Sequence, residues 1–264
     1  MIIHQIWIGP AAPPHFWMDT VKQFAETYGY TYMLWDDKTI QDLRPKNADI
    51  LARFLREKRW PGAADIIRYE VMYEYGGVYI DADTVVLKPA EFHAFLQERK
   101  EKERVFMGCE YEDCSLIANG TLGAPKHSSF FRDMLAEMPA YCKAHWDEPD
   151  YKQVGPYFLT DFVKKKGADA VELVPRTVFY PRTWHGIVDP WLHLKTTVPA
   201  ESLLFQYGYS TNGFNRIFKL RNLVFLAIVV AAFLAIVIRR INHVCVSTAA
   251  LFVAAIIVKK LWIH

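Results

Sequence analysis

The chain opens on an apolar run, Ile2 to Ile8, that reads as a buried strand stopped by Pro10, Pro13 and Pro14. Phe16 to Tyr28 places its apolar residues at helical spacing. Thr31 to Trp35 reads as a second strand, ended by Asp36-Asp37, and Ile50 to Lys58 as a helix. Pro61 sits where a first helical turn accepts proline, ahead of a helix from about Ala63 to Tyr75. Gly76-Gly77 closes that helix and permits a tight turn, so Val78 to Asp81 follows as a short strand. Further along, Val105–Cys109, Ile117–Leu122 and Val171–Val174 read as strands, Ser128–Glu137 and Tyr157–Lys166 as helices. Alternating strands and helices predict an α/β domain on a sheet of mostly parallel strands. Ligands of such sheets bind beyond the carboxyl ends of the strands, where Trp7, Asp81 and Asp83 fall.

The pattern changes near the C-terminus. Leu223–Ile238 is an uncharged run of sixteen residues and Val244–Val258 one of fifteen. A membrane crossing needs about 20 residues for a ~30 Å core. At about 1.5 Å per residue these runs reach roughly 22–24 Å. Both are short, but flanking arginines and lysines can snorkel. Twelve residues of the first run are Leu, Ile, Val or Phe, which sums to roughly −4 to −7 kcal/mol of insertion free energy. Neither run has the polar stripe of a soluble surface helix. The expectation is a catalytic domain over 1–212 and a helical membrane hairpin, or a shallow re-entrant pair, over 213–264.

Charge sharpens the same division. Seven of the 31 basic residues lie beyond Glu201 and no acidic residue does, so residues 1–201 hold 24 basic against 29 acidic side chains. That split argues against a nucleic-acid partner, because the basic surface it needs is missing from the folded part. A basic, apolar tail suits anionic lipid instead. A hairpin would put Arg216, Lys219, Arg221, Lys259 and Lys260 on the catalytic side and only Arg239 and Arg240 in its turn. That bias favours a catalytic domain facing the cytosol, with the Golgi lumen as the alternative. The spacing of Cys109, Cys114, Cys142 and Cys245 matches no zinc pattern. Reduced thiols are expected, again favouring the cytosol. The first residues show no charged and apolar leader pattern.

The chemistry concentrates in Ala64-Asp65-Ile-Ile-Arg68-Tyr69 and in Tyr75-Gly76-Gly77-Val78-Tyr79-Ile80-Asp81-Ala82-Asp83. Two carboxylates at i and i+2 on a strand end can face one way. So close together they raise each other's pKa unless a cation lies between them. A hard, oxygen-rich site of this kind suits manganese or magnesium, which in turn grips a substrate diphosphate. Asp65 and Arg68, three apart, share one helix face. They form either a surface ion pair or a clamp on sugar hydroxyls.

These segments, with Ile3-His4-Gln5-Ile6-Trp7-Ile8-Gly9, resemble glycosyltransferase family 32. That family holds Asp-x-Asp sugar-binding enzymes related to yeast mannosyltransferases, inositol-phosphoceramide mannosyltransferases and bacterial capsule enzymes. The chain is also similar to the catalytic domain of large clostridial glucosylating toxins. The resemblance covers about residues 1–190 and includes Asn119 and Gly155-Pro156. It implies a Rossmann-like GT-A fold and retaining, metal-dependent transfer of a hexose from a UDP- or GDP-sugar. By the same resemblance Trp7 stacks on the nucleotide base, while Asp65, Arg68, Tyr79 and Asn119 hold the donor. Asp81 then lies near ribose, sugar and metal, and Asp83 ligates the metal. Relatives complete the metal site with a histidine and a Ser-Trp pair; here His185 and the stretch Gln206–Asn212 are the candidates. Asn119-Gly-Thr also spells a glycosylation sequon. A glycan on a pocket residue would block the pocket, which favours the cytosolic face.

No nucleophile for a double displacement is evident, so a front-face route assisted by the leaving phosphate is expected. The tail points to a lipid-borne acceptor: an inositol-phospholipid or sphingolipid headgroup, or a polyprenyl-diphosphate glycan. The competing readings are an inactive nucleotide-sugar-binding partner subunit and a metal-dependent phosphohydrolase.

Overall fold

The computed structural model of the chain describes residues 1–181, 198–208, 224 and 227–230. Strand β1 (Ile2–Ile6) leads to helix α1 (His15–Thr27) and strand β2 (Thr31–Trp35). Helices α2 (Ala48–Arg56) and α3 (Trp60–Glu74) follow, then β3 (Gly77–Ile80) and β4 (Thr84–Val86). Helix α4 (Pro89–Glu101), strands β5 (Phe106–Cys109) and β6 (Ile117–Ala124), and helices α5 (Ser129–Ala144), α6 (Asp150–Gln153) and α7 (Pro156–Lys166) come next. Strand β7 (Glu172–Val174), the short helix α8 (Arg176–Phe179) and strand β8 (Leu204–Gln206) complete the described elements.

The main sheet has the order β2-β1-β3-β6-β5-β7. Strand β1 pairs in parallel with β2 and β3, and β5 with β7. Strand β6 runs antiparallel to both its neighbours, β3 and β5. The expected α/β sheet is present, and its mixed character has a local cause. Only residues 110–116 separate β5 from β6, and a loop that short can close a hairpin but not a parallel crossover. One apolar cluster gathers α3, α5 and α7, with Phe54, Ile66, Ile67, Phe131 and Phe158 buried in it. A second lies among α1, α4 and β3, around Phe24, Val78 and Phe92. Helix α4 and the strands β4 and β8 left no clear periodic signal. Of the thirteen residues of α4 only Phe92 and Leu96 are buried.

The expectation that every cysteine stays reduced is corrected. Cys109, at the end of β5, is disulfide-bonded to Cys114. The hairpin loop folds back on itself, with Glu110 N donating to Leu116 O at 2.9 Å and Cys114 N to Tyr111 O at 3.1 Å. The two Cα atoms come within 4.8 Å, inside the range a disulfide can span. Cys142 is free and buried; Cys245 lies outside the described residues. The reduced-thiol support for a cytosolic face is therefore lost.

The chain divides into two compact units, residues 1–186 with 197–207, and residues 187–196 with 208–264. The first holds every element named above. In the second, Val224 and residues 227–230 are helical, with Val224, Ile228, Val229 and Val230 exposed. Among the described residues no helix is long and apolar enough to cross a membrane. The rest of the expected hairpin, and the expected border at 212, lie outside the described residues.

Candidate active site

Two glycines deliver the acidic motif. Gly76 and Gly77 have φ of +62° and +96°, a region closed to most side chains. A Cβ on Gly76 would stand 2.3 Å from Lys126 N, and one on Gly77 2.3 Å from Ile2 O. The turn can thus reverse from α3 into β3 only with the backbone in contact on both sides. Strand β1 then holds β3 at both ends. His4 Nε2 donates to Gly76 O at 2.9 Å, and its Nδ1 accepts from Trp35 Nε1 at 3.1 Å. Those two partners set the tautomer as neutral and Nε2-protonated. Burial pushes the His4 pKa down to about 4, against the pull of the Gly76 carbonyl. The next residue, Gln5, donates Nε2 to Asp81 O at 3.1 Å and accepts Tyr32 OH at 2.9 Å. Both polar side chains are fully buried and fully used, as burial requires.

Helix α3 runs through the core, so Asp65 and Arg68 are buried at 7% and 6% exposure rather than forming a surface pair. Arg68 Nη2 lies 3.2 Å from Asp65 Oδ1 and 3.3 Å from Asp81 Oδ1. Its Nη1 donates to Asn119 O at 2.5 Å, and its guanidinium sits 4.5 Å from the Tyr79 ring centre. Burial works against the Arg68 charge, but the oxygens of Tyr79, Asp81 and Asp65 outweigh it and raise its pKa. Tyr79 OH donates to Asp81 Oδ1 at 2.6 Å. Burial holds the Tyr79 hydroxyl well above its ordinary pKa, so it stays a donor. Asn119 Nδ2 donates to Asp65 Oδ1 at 2.8 Å and contacts Tyr69 OH at 3.0 Å. Burial pushes the Asp65 carboxyl up to about 7, with Arg68 opposing and Asp81 reinforcing the shift. The Asn119 amide is thus enclosed in the folded domain, where a glycan has no room.

Asp81 and Asp83 converge on one group. Gln206 Nε2 lies 2.6 Å from Asp81 Oδ2 and 3.5 Å from Asp83 Oδ1. Antiparallel pairing of Thr84 with Gln206 between β4 and β8 brings it there. Tyr207 N also donates to Asp83 O at 2.9 Å. A donor placed between two carboxylates marks the point where a cation would be held. Turning the amide over would present Oε1 at that point, giving three oxygen ligands of the hard type that manganese and magnesium take. The cluster also has a surplus of acid, with Asp65, Asp81 and Asp83 against the one guanidinium of Arg68. Among the described residues no group of three His, Cys, Asp or Glu side chains could hold a metal. The residues present therefore fit a divalent ion only with Gln206 or a further ligand added. His185, Ser210, Thr211 and Asn212 lie outside the described residues.

Trp7 stands one residue past β1, partly exposed, with Nε1 donating to Ala11 O at 2.7 Å. It lies at the carboxyl ends of the strands and not in the core. Glu70, on the same helix as Asp65, turns away and accepts Lys46 N at 2.9 Å and Asn47 N at 2.8 Å. Gln5 and Tyr69 border the site and were signalled only by their neighbours in the motifs; Gly155, which also borders it, came with the resemblance as Gly155-Pro156.

Residues 14–103 match the family model described as glycosyltransferase sugar-binding region containing DXD motif. The matched stretch contains Asp65, Arg68, Asp81 and Asp83, the residues gathered above. The match supports glycosyltransferase family 32 for that stretch. It is similar to inositol phosphoceramide mannosyltransferase 1 of Schizosaccharomyces pombe, 30% identical over 34% of this chain and 30% of that one. It is similar to mannosyl phosphorylinositol ceramide synthase SUR1 of Saccharomyces cerevisiae, 27% identical over 60% of this chain and 40% of that one. Each match thus spans less than half of the relative's own length. Among solved structures the chain is similar to the PaToxG glycosyltransferase, with a TM-score of 0.50 at 16% identity over 62% of this chain and 69% of that one. That likeness assigns the mixed α/β sheet to the GT-A type.

Proposed function

We propose that the chain is a retaining, metal-dependent glycosyltransferase that moves a hexose from a UDP- or GDP-sugar to a membrane-associated lipid or glycan acceptor. The observation that carries this is the convergence of Asp81 and Asp83 on one point, beside the buried Asp65–Arg68 pair. When bound there, manganese or magnesium would offset the charge of the donor diphosphate. Arg68 adds a fixed positive charge beside the breaking bond, which stabilises the leaving group. Asp65 accepts hydroxyls of the donor sugar, Asn119 and Tyr79 orient the two carboxylates, and Trp7 offers its ring to the base. Asp81 has both oxygens engaged by donors and Asp65 its Oδ1, which counts against either as a nucleophile. A front-face route follows, in which the departing phosphate takes the proton of the acceptor hydroxyl.

The names of the relatives favour mannose as the sugar and an inositol-phosphate ceramide as the acceptor. A polyprenyl-diphosphate glycan is the alternative. The apolar, basic tail supports membrane association, and a lipid acceptor near such an anchor gains effective concentration. The charge bias of the tail favours a cytosolic face; the disulfide favours an oxidising compartment such as the Golgi lumen.

Asp83→Asn should abolish manganese-stimulated release of UDP or GDP while the far-UV spectrum stays unchanged. Full activity in that variant overturns the metal assignment. Release of inorganic phosphate in place of a nucleoside diphosphate would indicate a phosphohydrolase, and nucleotide-sugar binding without turnover an inactive partner subunit.

A further inference from the structure

From Ile2 to Met18 the chain holds no Asp, Glu, Lys or Arg, although these make up 23% of the whole. The first part of that span is β1, buried as an apolar strand should be. The loop that follows is not buried: Pro10, Ala11, Ala12, His15 and Phe16 are exposed. Phe16 is 73% exposed, more than any other large apolar side chain among the described residues. A single exposed apolar residue needs no explanation, but a continuous uncharged stretch ending on an exposed aromatic ring marks a contact surface. The stretch is also held in place. Gly9 N donates to the Asp37 carboxylate at 3.1 Å and Trp7 Nε1 to Ala11 O at 2.7 Å. Pro13 and Pro14 restrict the backbone where α1 begins. Trp17 then stacks on Tyr207, with ring centres 5.1 Å apart and planes 28° from parallel.

Two observations say what this surface meets. Strands β1 and β3 run parallel, so the loop after β1 leaves the same edge of the sheet as Asp81 and Asp83. Tyr207 is the last residue of its unit before the chain passes on at Gly208. Its stacking on Trp17 puts that exit beside the first turn of α1, and the sequence beyond it is basic, apolar and without acid. A lipid interface accepts aromatic rings and small uncharged residues and penalises carboxylates. We propose that residues 10–17 form a lip that dips into the lipid interface, Phe16 foremost, so that the acidic motif opens toward acceptor headgroups in the membrane plane. This inference rests on the membrane-associated acceptor proposed above and names the part of the folded domain that touches the bilayer.

Phe16→Trp and Thr27→Trp are made in the full chain and reconstituted with vesicles of phosphatidylcholine and phosphatidylserine, with and without bromine on the acyl chains. Thr27 is exposed at the other end of α1, about 16 Å along the helix. Both substitutions fall on exposed positions and leave the core untouched. Brominated chains quench an indole only at close range, and the added emission of each variant is read against the wild type with its eight tryptophans. Phe16→Trp should lose its added emission in brominated vesicles, and Thr27→Trp should keep its own. A vesicle-bound Phe16→Trp variant that is not quenched, as when the tail or a second copy covers the loop, overturns this inference alone. Quenching at both positions overturns it as well, because α1 would then lie along the membrane rather than meet it by its first turn. A wild-type chain that stays out of the vesicles overturns the membrane-associated reading and this inference with it.

Discussion

His4→Phe keeps a flat aromatic ring, somewhat larger, and removes both hydrogen bonds of the imidazole. Gly76 O loses its donor and Trp35 Nε1 its acceptor, both in the interior. Leaving one buried group unsatisfied costs about 1–3 kcal/mol, so the pair should cost about 2–6 kcal/mol. That is a large share of the ~5–15 kcal/mol that holds a typical domain together. The substitution should also change the pH dependence of folding. The His4 pKa is pushed down to about 4 from an ordinary 6.5. Between those two values the unfolded chain takes up a proton that the folded chain refuses. Stability from this group is therefore complete above pH 6.5 and is lost as pH falls toward 4, by up to about 3 kcal/mol. Urea unfolding of wild type and variant, followed by circular dichroism from pH 4.5 to 7.5, isolates the effect as a difference. The gap between the two proteins should be widest at pH 7.5 and shrink in acid. A gap that is absent, or that does not change with pH, refutes the assignment of His4 as a neutral two-sided clamp.

Two other perturbations probe the elements around the site. Gln206→Ala should weaken manganese binding about 10–100-fold in an electron paramagnetic resonance titration, while Gln206→Glu restores or tightens it; wild-type affinity in both removes Gln206 from the metal position. Cys109→Ser/Cys114→Ser should lower unfolding stability by about 2 kcal/mol for so short a loop, and dithiothreitol should do the same to the wild type, whereas unchanged unfolding in both would mean that the bond adds nothing.

What the sequence makes legible is what is local. Asp65 and Arg68 are three residues apart on one helix, and Asp81 and Asp83 two apart past one strand, so spacing alone sets each pair on a common face. Gly76-Gly77 announces the turn between them because only glycine accepts those angles at such close approach. The parts harder to read are those that arrive from a distance by pairing. The resemblance put forward the stretch Gln206–Asn212, but that Gln206 is the residue beside Asp81 depends on pairing across 125 residues, carried by a three-residue strand too short to show any period. The bond between Cys109 and Cys114 depends on the hairpin between β5 and β6, which an expectation of mostly parallel strands conceals.

The polar residues of β1 belong to the same class, and they change what the acidic motif means. His4 and Gln5 are adjacent, so on a strand they point to opposite faces. One secures the carbonyl of Gly76 before β3 and the other the carbonyl of Asp81 after it. Two buried polar side chains in an otherwise apolar strand would be a liability without partners. Here both are satisfied by the short segment that carries the carboxylates. Asp81 is therefore held from its backbone by β1 and from its side chain by Tyr79, Arg68 and Gln206. The same amide lies 3.5 Å from Asp83 Oδ1, two residues on. In the proposed reaction Asp81 is a fixed part of the scaffold and Asp83 a ligand of the cation. Substituting Gln5 should then displace Asp81 and impair donor binding as a whole, while substituting Asp83 should affect the manganese response first.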